Sequence, residues 1–209
     1  LAGILLFSSN LHKKVPDKGP LKDGLAIIMR ETQRCKSIIQ GLLEFARDRE
    51  PRKVAASIPT IIHKALKIME NEFRLRHIRI EKDFAADLRE SCIDADQMEQ
   101  VFINLLLNAA QAIDDSGVIT IRCRMDSTPQ AIVIEVIDTG CGIPAEHLDR
   151  IFDPFYSTKK NGSGLGLAVS FGIIQSHQGR LEVSSQPAQG SKFTVWLPIA
   201  EEIPEISAP

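Results

Sequence analysis

The 209-residue sequence has no long apolar run. Its longest, Leu1 to Phe7, falls far short of the ~20 residues that cross a bilayer, so no membrane contact is expected within it. It has little net charge. Lys and Arg number 25 against 27 Asp and Glu, giving −2, which argues against a nucleic-acid partner. Cysteine is sparse and scattered: Cys35, Cys92, Cys123 and Cys141 form no CxxC pair. That speaks against a disulfide framework or a zinc site and fits the reducing cytoplasm. No GxxxxGK[ST], HExxH or GxSxG occurs, which removes the P-loop, zincin and nucleophile-elbow classes. Initiator methionine and signal-peptide pattern are also missing, and residue 1 already lies in an apolar helical pattern. The expectation is a piece of a longer protein with nothing to strip off. What is present is ordinary globular composition, 44% hydrophobic and 25% charged, long enough to bury a core.

Along the chain, Leu1, Ile4, Leu5, Leu11 and Val15 predict the end of a helix, broken by Pro16, Gly19 and Pro20. Leu21, Leu25, Ile28, Thr32, Cys35, Ile39, Leu42 and Ala46 then step alternately by four and three, a heptad seam. Residues 1–50 therefore read as a helical hairpin whose apolar strip is too narrow to make a core alone. It pairs either with a second copy, as a dimeric four-helix bundle, or with the rest of the chain. Pro51 marks a boundary and 51–57 a short linker. Beyond it the pattern alternates between helix and strand. Helices are predicted from Pro59 to Arg76, from Asp96 onward, and from Leu165 to Ser176. Strands are predicted at 77–84, 91–93, 118–125, 131–137, 181–185 and 192–197. The fold class is α+β: the hairpin, then an α/β sandwich over 58–198 with helices on one face of a mixed sheet. The tail, 199–209, is expected to fray.

Three segments carry chemistry. The helix from Asp96, with Glu99 as capping-box partner, buries Met98, Val101, Phe102, Leu105, Ala109 and Ala112. Another face carries the amides Gln97, Gln100, Asn104, Asn108 and Gln111, more than solvation requires. An Asn carbonyl oxygen is a hard ligand suited to Mg²⁺. Next, Asp138-Thr139-Gly140-Cys141-Gly142-Ile143-Pro144 ends a strand in a glycine turn that allows close backbone approach to a ligand. Its carboxylate could accept a hydrogen bond from an exocyclic amine. Third, Gly162-Ser163-Gly164-Leu165-Gly166-Leu167 leads into a helix, whose N-terminus suits phosphate. Between the last two, residues 151–161 read as a hinged lid offering Lys159 to a phosphate.

In order and spacing, Asn104–Ala109, the Asp138 turn, Asp153-Pro154-Phe155, Gly162–Leu167 and Gly190-Ser191-Lys192-Phe193 resemble the N, G1, F, G2 and G3 boxes of sensor histidine kinases. The resemblance implies a Bergerat (GHKL ATPase/kinase) sandwich, with the preceding hairpin similar to that family's dimerisation and phosphotransfer domain. It implies ATP and Mg²⁺ as cofactors. Asn108 matches the magnesium asparagine and Asp138 the adenine-reading aspartate. Gly140, Gly142 and Ile143 match the adenine pocket, with Ala112 beside it. Gly162, Ser163, Gly164, Leu165, Gly166 and Leu167 match the segment closing over phosphates. Ser191 falls where relatives carry Thr or Ser near the base. Asn108, Asn104 and Lys159 are the candidate catalytic residues.

Two departures matter. Gln111 stands where many members carry Lys or Arg, leaving Lys159 or Lys160 to supply positive charge. The acceptor-histidine box is missing, and Leu1–Leu5 matches the stretch that follows it, so the acceptor is expected upstream. His12 lacks that box, His63, His77 and His147 match no role, and His177 matches a helix-ending position. Implied partners are a second copy through 1–50 and a response-regulator receiver domain. The alternatives are a GHKL-type ATPase and a non-catalytic dimeric nucleotide-binding module. Gyrase-type and mismatch-repair hydrolases carry a Glu four residues before the magnesium asparagine; here it is Asn104, which cannot act as a base.

Overall fold

The computed structural model describes residues 1–16, 19–45, 51–127, 130–159 and 162–199. The expected tail beyond 199, Ala46 of the seam, and Lys160 lie outside the described residues. The chain divides into two compact units: Leu1–Asp48 with Asp153–Gly166, and Arg49–Phe152 with Leu167–Pro209.

In the first unit, α1 (Ala2–Lys14) and α2 (Pro20–Phe45) pack against each other. The seam of α2 divides into two rows. Leu25 and Thr32, seven apart, are buried. Leu21, Ile28 and Cys35, also seven apart, are exposed, as is Ile39. Thr32 satisfies its hydroxyl by donating to the Ile28 carbonyl at 2.7 Å, which is how a polar residue tolerates burial there. No described helix is long and apolar enough to cross a membrane.

The second unit is the sandwich. Its elements are β1 (Val54–Ala56), α3 (Ile58–Leu75), β2 (Ile78–Phe84), β3 (Ser91–Ile93), α4 (Ala95–Ala112), β4 (Gly117–Ser127), β5 (Gln130–Asp138), α5 (Ala145–Leu148), α6 (Gly166–Ser176), β6 (Arg180–Ser185) and β7 (Ser191–Pro198). The mixed sheet runs β2-β4-β5-β7-β6. β2 and β4 are parallel, which demands a crossover, and α4 lies within it; the other pairs are antiparallel. Ile119, Ile121 and Cys123 of β4, Ile132, Ile134 and Val136 of β5, and Phe193, Val195 and Leu197 of β7 turn one face inward. That face joins Ile58, Ile61, Ile62 and Ala65 of α3 and Met98, Phe102 and Leu105 of α4 in one core. At roughly 1.5–3 kcal/mol for each large side chain, this burial is the main stabilising term. The other face is charged, with Arg124–Asp83 at 2.9 Å and Lys192–Glu135 at 3.1 Å.

Two local expectations are corrected. The 51–57 linker contains β1, paired antiparallel with β3 through Val54↔Ile93 and Ala56↔Ser91. Three residues are too few for alternation to show. The N-cap of α4 is Asp94, not Asp96: its side chain accepts from the N–H groups of Asp96 and Gln97. The cap therefore comes two residues earlier, and Glu99 is not the partner of a capping box.

Candidate functional site

The alternation of β5 that turns Ile132, Ile134 and Val136 inward does the same to its last residue, Asp138, which is only 3% exposed. A buried carboxylate is costly unless hydrogen-bonded. Asp138 Oδ1 accepts from Gly140 N–H at 2.8 Å and from Ser191 N–H at 3.3 Å. The chain leaving β5 and the start of β7 thus orient one acidic group at the edge of the core.

The glycine turn was expected to bring backbone close to a ligand. The structure shows close approach to the chain itself. A Cβ on Gly140 would lie 2.5 Å from the Ala112 carbonyl oxygen. Gly142, at φ +71°, has no room for one against the Gln186 carbonyl. Cys141 N–H donates to Ala112 O at 2.9 Å, so the turn docks on the end of α4, one helical turn beyond Asn108. Cys141 itself is exposed, as is Cys35; Cys123 is buried, and burial together with the Asp83 charge pushes its thiol up to about 12.

On α4 the buried side is Met98, Val101, Phe102, Leu105, Leu106, Ala109 and Ala110. Ala112 is half-buried and offers its carbonyl to the turn. Gln97, Gln100, Asn104 and Asn108 are half-buried too, and Gln111 is exposed. Asn104 Nδ2 donates to Ser170 Oγ of α6 at 3.3 Å, and Ser170 is fully buried. A second tie joins the same helices. His177, 1% exposed and following α6, accepts from the Asp94 N–H through Nε2 at 3.0 Å. Its Nδ1 lies 2.8 Å from the Ile173 carbonyl oxygen, so the proton sits on Nδ1. Burial pushes the His177 imidazole below its usual range, with nearby Lys53 adding to that and the Ile173 carbonyl and Asp94 opposing it. Lys53 Nζ also donates to Ser176 O at 2.7 Å, and Arg52 N–H to Asp94 Oδ2 at 2.9 Å.

Ile143 N–H donates to Ser185 Oγ at 2.8 Å. Ser191 is nearly buried, with its hydroxyl 3.1 Å from that of Ser185 and its N–H on Asp138. Of the residues singled out in the sequence, Asn104, Asn108, Ala112, Asp138, Gly140, Gly142, Ile143, Leu167 and Ser191 belong to the sandwich unit. Lys159, Gly162, Ser163, Gly164, Leu165 and Gly166 belong to the hairpin unit. There the segment closes on itself. Phe155, at φ +67°, donates its N–H to Gly164 O at 2.9 Å. Gly164, at φ +68°, packs against the Phe155 backbone, and a Cβ on Gly162 would meet Ser157 Oγ. Lys159 is exposed and its N–H donates to Ser157 Oγ at 3.2 Å.

Ser170 and Ser185 escaped the sequence reading. Ser170 lies within an apolar helix, where a small hydroxyl carries no distinctive pattern. Ser185 precedes the turn Gln186–Gly190, and a hydroxyl at a strand-to-turn junction is the one signal available.

An acidic strand end is thus tied through its turn to an amide-bearing helix, in a helix-covered mixed α/β sandwich. The family profile described as "Histidine kinase-, DNA gyrase B-, and HSP90-like ATPase" matches residues 93–201, and the chain belongs to this family. Its similarity is to sensor histidine kinases. It is 34% identical over 199 residues to sensor histidine kinase ZraS of Escherichia coli (strain K12), covering 95% of this chain and 42% of that protein. It is 38% identical over 180 residues to signal transduction histidine-protein kinase AtoS of the same strain, covering 84% and 29%. The crystal structure of histidine kinase ThkA in complex with response regulator protein TrrA is 25% identical with a TM-score of 0.73, covering 94% of this chain and 57% of that one. The chain thus spans less than half the length of the two curated relatives.

Proposed function

We propose that this chain is the ATP-binding catalytic part, with part of the dimerisation hairpin, of a protein-histidine kinase of two-component signalling. It binds MgATP, and the γ-phosphoryl leaves its bridging oxygen to form a phosphorus–nitrogen bond with a protein histidine. An aspartate on a response-regulator receiver then takes it. The ThkA–TrrA complex supports that partner by analogy. The proposed organisation is a 1–50 hairpin, a connecting segment 51–57 that contains β1, a 58–198 catalytic domain and a 199–209 tail, in the cytoplasm. The exposed seam residues Leu21, Ile28, Cys35 and Ile39 support pairing of the hairpin with a second copy.

The observation that carries the reading is Asp138. Two backbone N–H groups orient this buried carboxylate, and an ionised carboxylate accepts several hydrogen bonds, which suits it to an exocyclic amine such as that of adenine. The residues fit a magnesium–nucleotide as well. Among the described residues no three His, Cys, Asp or Glu side chains gather to hold a metal. A hard cation here would take the Asn108 carbonyl oxygen and draw its other ligands from phosphates and water. Bound Mg²⁺ supplies charge neutralisation at the phosphates. In this reading Lys159 and the 162–166 backbone would hold phosphate, and catalysis would be positioning and charge stabilisation. Asn104, held toward Ser170, offers no base to activate water, which favours transfer over hydrolysis.

The test is γ-labelled ATP with Mg²⁺ on the chain lengthened upstream of Leu1, beside an Asn108→Ala control. Acid-labile label on the protein, absent from the control, is expected. Label released as free phosphate would favour the hydrolase, and no turnover would leave a binding module.

A further inference from the structure

Ser185 ends β6, and its side chain meets three groups from two different loops. Its Oγ lies 2.8 Å from Gly190 O, 2.8 Å from Ile143 N and 3.1 Å from Ser191 Oγ. A hydroxyl has one proton and two lone pairs. The proton goes to the Gly190 carbonyl. The lone pairs take the Ile143 N–H and the Ser191 hydroxyl, so every capacity of the group is used.

The Gly190 carbonyl and the Ser191 N–H belong to one peptide plane, and in a trans peptide they point in opposite directions. Ser185 grips the oxygen of that plane, and Asp138 Oδ1 takes its hydrogen at 3.3 Å. Gly190 has φ +80°, and a Cβ there would strike the Asp138 carbonyl oxygen. A glycine in this region lets the following peptide plane rotate at small cost, so the Ser185 hydroxyl adds to the Ser185↔Ser191 strand pairing in fixing its direction. On the far side, Ile143 N–H ties the loop after β5 to the same hydroxyl. Ala188 N–H on Cys141 O, at 2.7 Å, is a second tie between that loop and the turn.

We infer that Ser185 is a positioning residue for base recognition: by fixing the Gly190–Ser191 peptide plane, it holds the Asp138 carboxylate at the orientation that distinguishes an amine from a carbonyl on the bound purine. This deepens the proposed function and rests on the reading of Asp138 as the base acceptor. Without the Ser185 hydroxyl the plane is released. Asp138 then loses one of the two backbone donors described for it, and a less firmly oriented carboxylate blurs the choice between purines.

The experiment compares binding of ATP and of inosine triphosphate, which carries a carbonyl oxygen where adenine carries the amine. It uses the 209-residue chain, Ser185→Ala and Ser185→Thr. The unsubstituted chain is expected to prefer ATP by at least about tenfold, because a site built to hydrogen-bond one group rejects its analogue. In Ser185→Ala the preference is expected to shrink to about two- or threefold, and in Ser185→Thr, which restores the hydroxyl, to recover. Equal weakening for both nucleotides, with the preference kept, would overturn the inference and leave Ser185 a support of the fold. Equal binding by the unsubstituted chain would overturn the Asp138 reading itself, and the inference with it. Should Ser185→Ala not fold, Ser185→Cys keeps the size with only a weak donor, and the same loss of preference is expected of it.

Discussion

His177 is enclosed by protein and carries a titratable ring, so its protonation state is coupled to folding. The neutral form accepts from Asp94 N–H; a protonated ring has no lone pair left to do so. Its folded pKa lies below the usual 6.5, so in the window beneath 6.5 the unfolded chain binds a proton that the folded chain does not. The stability from the neutral ring is complete above the unfolded value and is lost as pH falls through the folded one. The groups facing the ring are Lys53, which favours the neutral form, and Asp94, which opposes it. Thermal melts from pH 8 to pH 5 are expected to fall below pH 6.5, with a shallower decline in His177→Gln. A parallel decline in both would mean that other groups carry the acid sensitivity. The sequence shows His177 only as a helix-ending position. Its two nearest partners are backbone groups, with Ser176 Oγ farther from Nδ1 at 3.3 Å, and one of the two lies 83 residues away, so no pattern in the string announces it.

At the scale of elements, the cap of α4 separates two readings in a measurable way. Asp94→Ala removes the acceptor for two N–H groups of the first turn and is expected to cost about 1 kcal/mol, as N-cap losses do. Asp96→Ala, one residue inside the helix, is expected to stay within about 0.5 kcal/mol. Denaturant melts of the two variants check this, and the reverse order would restore Asp96 as the cap. Long, strongly periodic elements are readable: α3, β5 and β7 begin and end within about one residue of where their patterns predict, and α4 begins one residue before its expected start. Asp138, too, was readable as the last residue of a strand. The division of labour around it was not. Gly140 and Gly142 make room for Ala112 and Gln186, and Ser191 meets Asp138 through its backbone N–H while its hydroxyl turns to Ser185. A sequence tells where a small residue is needed and leaves open what occupies the space.

For the whole molecule, the proposed pairing of the hairpin seam predicts an association state. Leu25 and Thr32 are satisfied within the chain, whereas Leu21, Ile28 and Ile39 remain 65%, 47% and 47% exposed. Burying such a row in a second copy is worth roughly 1.5–3 kcal/mol per large side chain. Sedimentation equilibrium is expected to give a dimer for the 209-residue chain and a monomer for Ile28→Asp, with the melting of the sandwich unchanged. A monomer at every concentration of the unsubstituted chain would sink the dimer. The stem of the sandwich bears on what such a dimer can transmit. Arg52 N–H ends on the carboxylate that starts α4, and Lys53 on the last carbonyl of α6. A pull on the chain at Pro51 is therefore shared between the first turn of α4, the helix carrying Asn108, and the end of α6.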